Sequence, residues 1–364
     1  MRTHRTQASH PSTPRAAFER LENRRLMAAT IPTIVQTNLV SDNTTIIPAA
    51  HADANLKNSW GLAITSTGNV WVADNGTGTS TVYDQTGAAV LSGSAPLVVT
   101  IPPPAGGLTS TPTGTVQHKG TGFNVSANGK TGASSFMFAT EDGTISGWNP
   151  TVDATHALLV VDHSSTGDVF KGLAQIGSGK SARIFATDFH GARIEAFDSS
   201  FAQVTLASGA FTDPQIPAGF APFGIQAIGS KLYVTYALQN ATMQSDVAGV
   251  GNGFVDTFNR NGKLLKRVAS NGTLNSPWGV ATAPSSFRKF SGDILVGNFG
   301  DGHVNVFSKS NKFLGQLTVS GGATLTIDGL WSLMPGVKTA RKELLFTAGP
   351  NGEADGLLGT LAGT

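Results

Sequence analysis

A short pattern returns six times along this chain, and no other feature restricts the fold as much. It reads small or aromatic residue, Gly, aliphatic residue, then alternating apolar positions. The copies are Trp60-Gly61-Leu62-Ala63-Ile64, Thr113-Gly114-Thr115-Val116, Lys171-Gly172-Leu173-Ala174, Phe223-Gly224-Ile225, Trp278-Gly279-Val280-Ala281 and Gly329-Leu330-Trp331. The glycines 61, 114, 172, 224, 279 and 329 are spaced by 53, 58, 52, 55 and 50 residues. A second element follows in each period, an apolar run ending in a polar turn, as in Val70-Trp71-Val72-Ala73-Asp74-Asn75 and Ile184-Phe185-Ala186-Thr187-Asp188. A third run, mostly alternating, ends in an aromatic residue, as in Ala192-Arg193-Ile194-Glu195-Ala196-Phe197. Alternation of period two is the mark of a half-buried strand. A fourth apolar segment completes the period, so four strands in about 50 residues, six times over, define an all-β six-bladed β-propeller. One sheet cannot bury both its faces alone; stacking on neighbours and closing the ring removes every exposed end face.

The last period supplies only about three strands, while Thr33–Val40 precedes the first period without a blade of its own. This segment is therefore predicted to be the fourth strand of blade six. The domain organisation follows: a tail over residues 1–30 and one propeller over 31–364.

Composition agrees with many short strands. The chain has 44 Gly and 17 Pro, and only 13% charged residues, against about 25% in an average soluble domain. It has no Cys, which excludes disulfides, cysteine nucleophiles and thiolate metal sites. No apolar run reaches the 18 or so residues of a membrane-spanning helix. Residues 1–30 carry six Arg against Glu19 and Glu22, so the remaining body holds 19 basic and 21 acidic side chains. A slightly acidic body without a basic stripe argues against nucleic-acid binding.

The tail contains Phe18-Glu19-Arg20-Leu21-Glu22-Asn23-Arg24-Arg25-Leu26-Met27-Ala28. It lacks the apolar stretch of a conventional signal peptide, but resembles the LEPR-XLL segment of large exported bacterial proteins, with Asn23 in place of Pro and Met27 in place of Leu. The resemblance implies export, to the cell envelope or the extracellular space. The runs Asn38-Leu39-Val40-Ser41-Asp42, Asn58-Ser59-Trp60-Gly61-Leu62-Ala63, Trp71-Val72-Ala73-Asp74-Asn75-Gly76 and Phe346-Thr347-Ala348-Gly349-Pro350-Asn351-Gly352 resemble a bacterial family of uncharacterised, exported propeller proteins with NHL-like blades. That resemblance covers about residues 33–361 and implies a fold, without an activity.

In a propeller the turns between strands two and three share one face with the starts of strand one. That face is expected to gather Asp74, Glu141, Asp188 and Asn298 as oxygen ligands for a hard cation such as Ca2+. Asn58, Asn75, Asp142, His190, Asp246 and Asp301 are expected as further contacts at the channel mouth. Asp246 lies in an unusually long connection of blade four, Ala237 to Gly253. Asp, Asn and Gly are also the ordinary residues of tight turns, and no copy carries an EF-hand loop. The eight His show no metal-binding spacing; His118, His163 and His190 are placed to approach the channel, although a lone His is more often structural. Gly179-Lys180-Ser181 lacks the first Gly of a phosphate loop and reads as a hairpin turn. No nucleophile elbow or zinc-protease motif occurs. The expected function is a monomeric, non-catalytic module binding a protein or small-molecule ligand at the cell envelope. The competing expectation is a Ca-type, lactonase-like hydrolase or lyase with its site at the channel mouth.

Overall fold

The computed structural model describes Met1 and residues 32–364. The LEPR-XLL-like segment lies outside the described residues. The propeller forms one compact unit, Ile31–Thr364.

Six antiparallel sheets follow in chain order. Blade one comprises Ser59–Ile64, Val70–Asp74, Thr79–Tyr83 and Val98–Thr100; blade two Pro112–Gln117, Phe136–Thr140, Thr144–Trp148 and Leu158–Asp162. Blade three has Phe170–Ile176, Arg183–Asp188 and Arg193–Asp198; blade four Phe220–Ile228, Lys231–Leu238, Phe254–Phe258 and Leu264–Ser270. Blade five has Pro277–Thr282, Ile294–Asn298, Val304–Phe307 and Phe313–Gln316; blade six Leu330–Pro335, Leu344–Ala348 and Leu357–Gly363. The fourth strand of blade six is Ile34–Ser41, antiparallel to Leu357–Gly363 from the Ile34–Gly363 pair to the Ser41–Leu357 pair. The ring is closed by the N-terminal strand, as the count of strands per period requires.

The repeated glycine has a steric cause. A Cβ at Gly61 would stand 2.2 Å from Thr113 O of the next blade, one at Gly114 2.2 Å from Leu173 N, and one at Gly224 2.2 Å from Trp278 O. The innermost strands thus approach backbone to backbone, and a side chain there would force the blades apart. Beside this contact strand one bulges in every blade, for instance between Ser59 and Leu62 and between Pro277 and Val280. The bulge of blade six falls between Leu330 and Leu333, which aligns Trp331 with Trp60 and Trp278. The equivalent position is therefore Ser332, and Gly329 is instead a turn glycine at φ +65°. Threonines of strand two also tie blades together: Thr187 Oγ1 donates to Phe223 O at 2.8 Å and Thr347 Oγ1 to Trp60 O at 2.5 Å.

The core lies between blades. Met137, Ala139 and Ile145 of blade two pack with Phe170, Leu173 and Ile184 of blade three, and burial of each large side chain contributes about 1.5–3 kcal/mol. Two departures from the regular repeat appear. A hairpin, Asn124–Ala127 with Lys130–Ala133, is inserted between strands one and two of blade two. Blade three has three strands where four were expected: beyond its third strand the chain makes a single bridge, Phe197 with Gln203. Among the described residues no helix is long and apolar enough to cross a membrane.

Candidate functional site at the channel mouth

Side chains alternate along a strand, so one residue decides which way a turn side chain faces. At the end of strand two, Asp74, Asp188 and Asn298 are fully buried inside their blades. Asp188 Oδ1 accepts from Val169 N (3.2 Å) and Gly191 N (3.0 Å), and Asn298 binds Asn305, Thr273 O and Asp301. Asp74 faces Thr79 at 3.5 Å, and burial holds its carboxyl well above the usual carboxylate range. The next residue in each turn is the one that reaches the axis: Asn75, Glu141, Phe189 and Phe299. The expected cation set of Asp74, Glu141, Asp188 and Asn298 therefore does not come together; only Glu141 faces the mouth, and the other three are a residue out of phase.

Beneath the mouth the channel is filled by aromatic rings. Trp60, Phe223, Trp278 and Trp331, from the innermost strands of four blades, pack with Phe189 and Phe299. Trp60 and Trp331 stack at 3.6 Å, Phe299 stacks on Trp331 at 3.9 Å, and Trp278 meets Trp60 edge-on at 6.4 Å. Offset and edge contacts of this kind suit aromatic quadrupoles.

In blade three the residue before the repeated glycine is Lys171 instead of an aromatic. Its side chain is 4% exposed, and its Nζ lies 5.2 Å from the Trp60 ring and 5.9 Å from the Phe189 ring. It donates to Glu141 Oε1. A hydrogen-bonded belt leads away from this pair: Asn75 Nδ2 donates to Glu141 Oε2 (2.9 Å), and Asn58 Nδ2 to Asn75 Oδ1 (3.2 Å) and Glu353 Oε2 (2.6 Å). Trp331 Nε1 donates to Asn58 Oδ1 at 3.1 Å, joining the belt to the aromatic floor. Glu353 projects from an exposed turn and turns its carboxylate inward. Desolvation raises the pKa of Asp246, in the long connection of blade four, while Ser276 and the charge of Lys171 oppose the rise. Desolvation likewise raises Glu353.

Of the other expected contacts, Asn58 and Asn75 belong to the belt. His190 follows Phe189 in its turn, and its buried Nδ1 has no hydrogen-bond partner among the described residues. Asp142 instead anchors the preceding linker through Thr111 N and Oγ1 at 2.9 and 3.0 Å. Asp301 caps its own turn through Asn275, Asn298 and His303 N. Sequence reasoning placed Glu353 on this face and missed Lys171. The mouth thus sets three carboxylates, Glu141, Glu353 and Asp246, about one ammonium over an aromatic floor.

Fold and site together define a six-bladed β-propeller with a plugged channel and a polar mouth. No family model matches the chain. Two proteins of Acanthamoeba polyphaga mimivirus do: uncharacterized protein R648 is 35% identical over 331 residues, 89% of this chain and 78% of the relative. Uncharacterized protein L690 is 32% identical over 320 residues, 86% of this chain and 82% of the relative. The chain belongs to the family of these two proteins. These relatives are viral, whereas the sequence resemblance pointed to bacterial proteins. Among solved structures, virginiamycin B lyase from Staphylococcus aureus has a TM-score of 0.52 at 12% identity, covering 91% of this chain and 99% of that one. A protein of unknown function from Bacteroides thetaiotaomicron has a TM-score of 0.53 at 11% identity, covering 86% of this chain and 71% of that one. At these identities the likeness is one of fold.

Proposed function

We propose that this protein is a non-catalytic binding module, exported to the cell envelope or beyond, that holds a cationic ligand at its channel mouth. The ligand class is a small amine or the Lys or Arg tip of a partner protein. The observation that carries this reading is the excess of carboxylates: Glu141 binds the single ammonium of Lys171, and Glu353 and Asp246 both lie within the reach of its charge. The floor of Trp60 and Phe189 adds ring faces that attract a desolvated cation. Export is supported by the LEPR-XLL-like segment Phe18–Ala28.

The alternative, a metal-dependent lactonase-like enzyme at this mouth, has weaker support. Lys171 places its own positive charge against Glu141, where a divalent ion would need that carboxylate. The lyase among the structural neighbours shares the fold at 12% identity, and a propeller fold alone does not assign chemistry.

The test is calorimetric titration of the protein with arginine, spermidine and an Arg-tipped peptide at low salt. Saturable binding of one of them, weakened about tenfold by Glu353→Gln and again by Asp246→Asn, is expected. Absence of binding by all three, or binding unchanged in both variants, overturns the reading. Fractionation of a cell that expresses the natural gene tests export separately.

A further inference from the structure

A second cluster lies on the same face, farther from the axis, between blades two and three. His163 follows the last strand of blade two, Asp168 precedes the first strand of blade three, and Glu195 lies in that blade's third strand. His163 Nδ1 is 3.0 Å from Asp168 Oδ2 and 2.9 Å from Glu195 Oε2. Behind them, Arg193 Nη2 stands 2.9 Å from Asp168 Oδ1, 2.8 Å from Glu195 Oε1 and 3.0 Å from Asp188 Oδ2. Each of the two nearer carboxylates therefore has one oxygen fastened by the guanidinium and the other aimed at the imidazole.

We propose that His163, Asp168 and Glu195 form a binding site for a divalent first-row transition-metal ion of the Zn2+ type. One imidazole nitrogen and two carboxylate oxygens are a donor set such ions accept, with the remaining positions left to water. Ligand atoms about 2.0–2.2 Å from a tetrahedral metal stand about 3.4 Å from each other, and the nitrogen–oxygen separations of 3.0 and 2.9 Å need open by only about half an ångström to reach that. All three donor atoms lie within 4.8 Å of one another, and among the described residues this is the group of His and carboxylates that meets that condition.

An independent observation points the same way. Glu195 Oε2 is buried and has no hydrogen-bond partner among the described residues, and the side chain as a whole is 4% exposed. Nδ1 has room for one N–H at most and is hydrogen-bonded to Asp168 Oδ2, so Glu195 Oε2, 2.9 Å from the same nitrogen, has no donor of its own. A buried acceptor without a donor costs about 1–3 kcal/mol, and a cation between the three atoms removes the deficit. Charge agrees: Asp168, Asp188 and Glu195 against Arg193 leave two negative charges when His163 is neutral. Arg193 acts as an outer partner that orients both carboxylates, as found around metal ligands generally. The His163 side chain is 24% exposed and provides the way in.

The experiment uses the full chain, stripped with a chelator and titrated with Zn2+, and separately with Co2+ while the visible spectrum is recorded. Uptake of Zn2+ at this site with a rise in Tm is expected, together with Co2+ absorption bands of a nitrogen–oxygen site. His163→Ala and Glu195→Gln are each expected to weaken Zn2+ at least about 100-fold, because loss of an outer partner alone costs about 10–100-fold. His163→Ala also removes the Co2+ bands, and as a change at a partly exposed position it decides the matter if Glu195→Gln does not fold. No uptake by the parent chain overturns the proposal, as does uptake that His163→Ala leaves unchanged, which would place the ion on other histidines.

Discussion

Blades three and four place a carboxylate at the same point of their third strand and treat it in opposite ways. Glu195 stands across from Ala186 and Asp256 across from Val234, each two residues before the aromatic that ends the repeat. In blade four the fourth strand brings Arg267 into register with Asp256. Arg267 Nε meets Asp256 at 2.5 Å, its Nη2 meets Asp213 at 2.5 Å, and its guanidinium lies 5.0 Å from the Phe254 ring. The result is a sealed ion pair. Blade three has no fourth strand in that place, so the counter-ion comes from Arg193 on the same strand, with a side chain 50% exposed, while the His163 imidazole of the preceding blade stands 2.9 Å away. One omitted strand separates an ion pair covered by its own blade from one whose arginine stands half in solvent.

Both clusters depend on a closed ring, so the largest effect comes from opening it. Deleting residues 32–41 removes the outer strand of blade six with buried Ile34, Leu39 and Val40; loss of the cooperative thermal transition is expected by circular dichroism, while deletion of 2–30 leaves the transition in place. Next in size is Arg267→Ala, which strands two buried carboxylates and is expected to cost about 3–5 kcal/mol in urea unfolding.

The pH dependence of blade four follows. Burial outweighs Arg267 and pushes the Asp256 carboxyl up to about 6. The folded state then takes up this proton before the unfolded state does. Its contribution is full below about pH 4 and is lost as pH rises through about 6. The span is up to about 3 kcal/mol at 1.4 kcal/mol per pH unit. Asp256→Asn is expected to flatten that part of the stability profile. The smallest effect is Arg193→Ala in metal-free protein, expected to cost less than Arg267→Ala in urea unfolding, because half of the Arg193 side chain is exposed and solvent weakens its ion pairs. A cost equal to that of Arg267→Ala would erase the contrast between the blades.

The ring was legible because a steric necessity repeats: Gly61, Gly114, Gly224 and Gly279 each admit the next blade's backbone, and spacing alone counts them. The sixth copy was misplaced because the turn residue Gly329 imitates the pattern three positions early, while Ser332 holds the true place. The inserted hairpin had a signal in Asn128-Gly129 between alternating residues that the repeat obscured. Of the site, Asn58, Asn75, Glu141 and Asp246 were legible as polar residues at the right turns. Asp74, Asp188 and Asn298 were not separable from them, since a bulge or turn shifts facing by one residue and composition does not record it. Lys171 was on view as the one cation in a slot that elsewhere holds Trp, Phe or Thr. The group of His163, Asp168 and Glu195 was hidden for another reason: its members belong to two blades and meet only when those blades pack.

The seam of the ring has a further consequence. Thr364 N donates to Thr33 O at 3.0 Å, so the two ends of the propeller touch. A short peptide joining them would turn the sheet of blade six into an ordinary run of successive strands. The chain could then be cut at the Pro-rich connection around Pro102–Pro104, between blades one and two, and all six blades would be assembled from consecutive sequence. By that measure the order of the blades along the chain is an accident of where the circle was opened, and their order in space is what the molecule conserves.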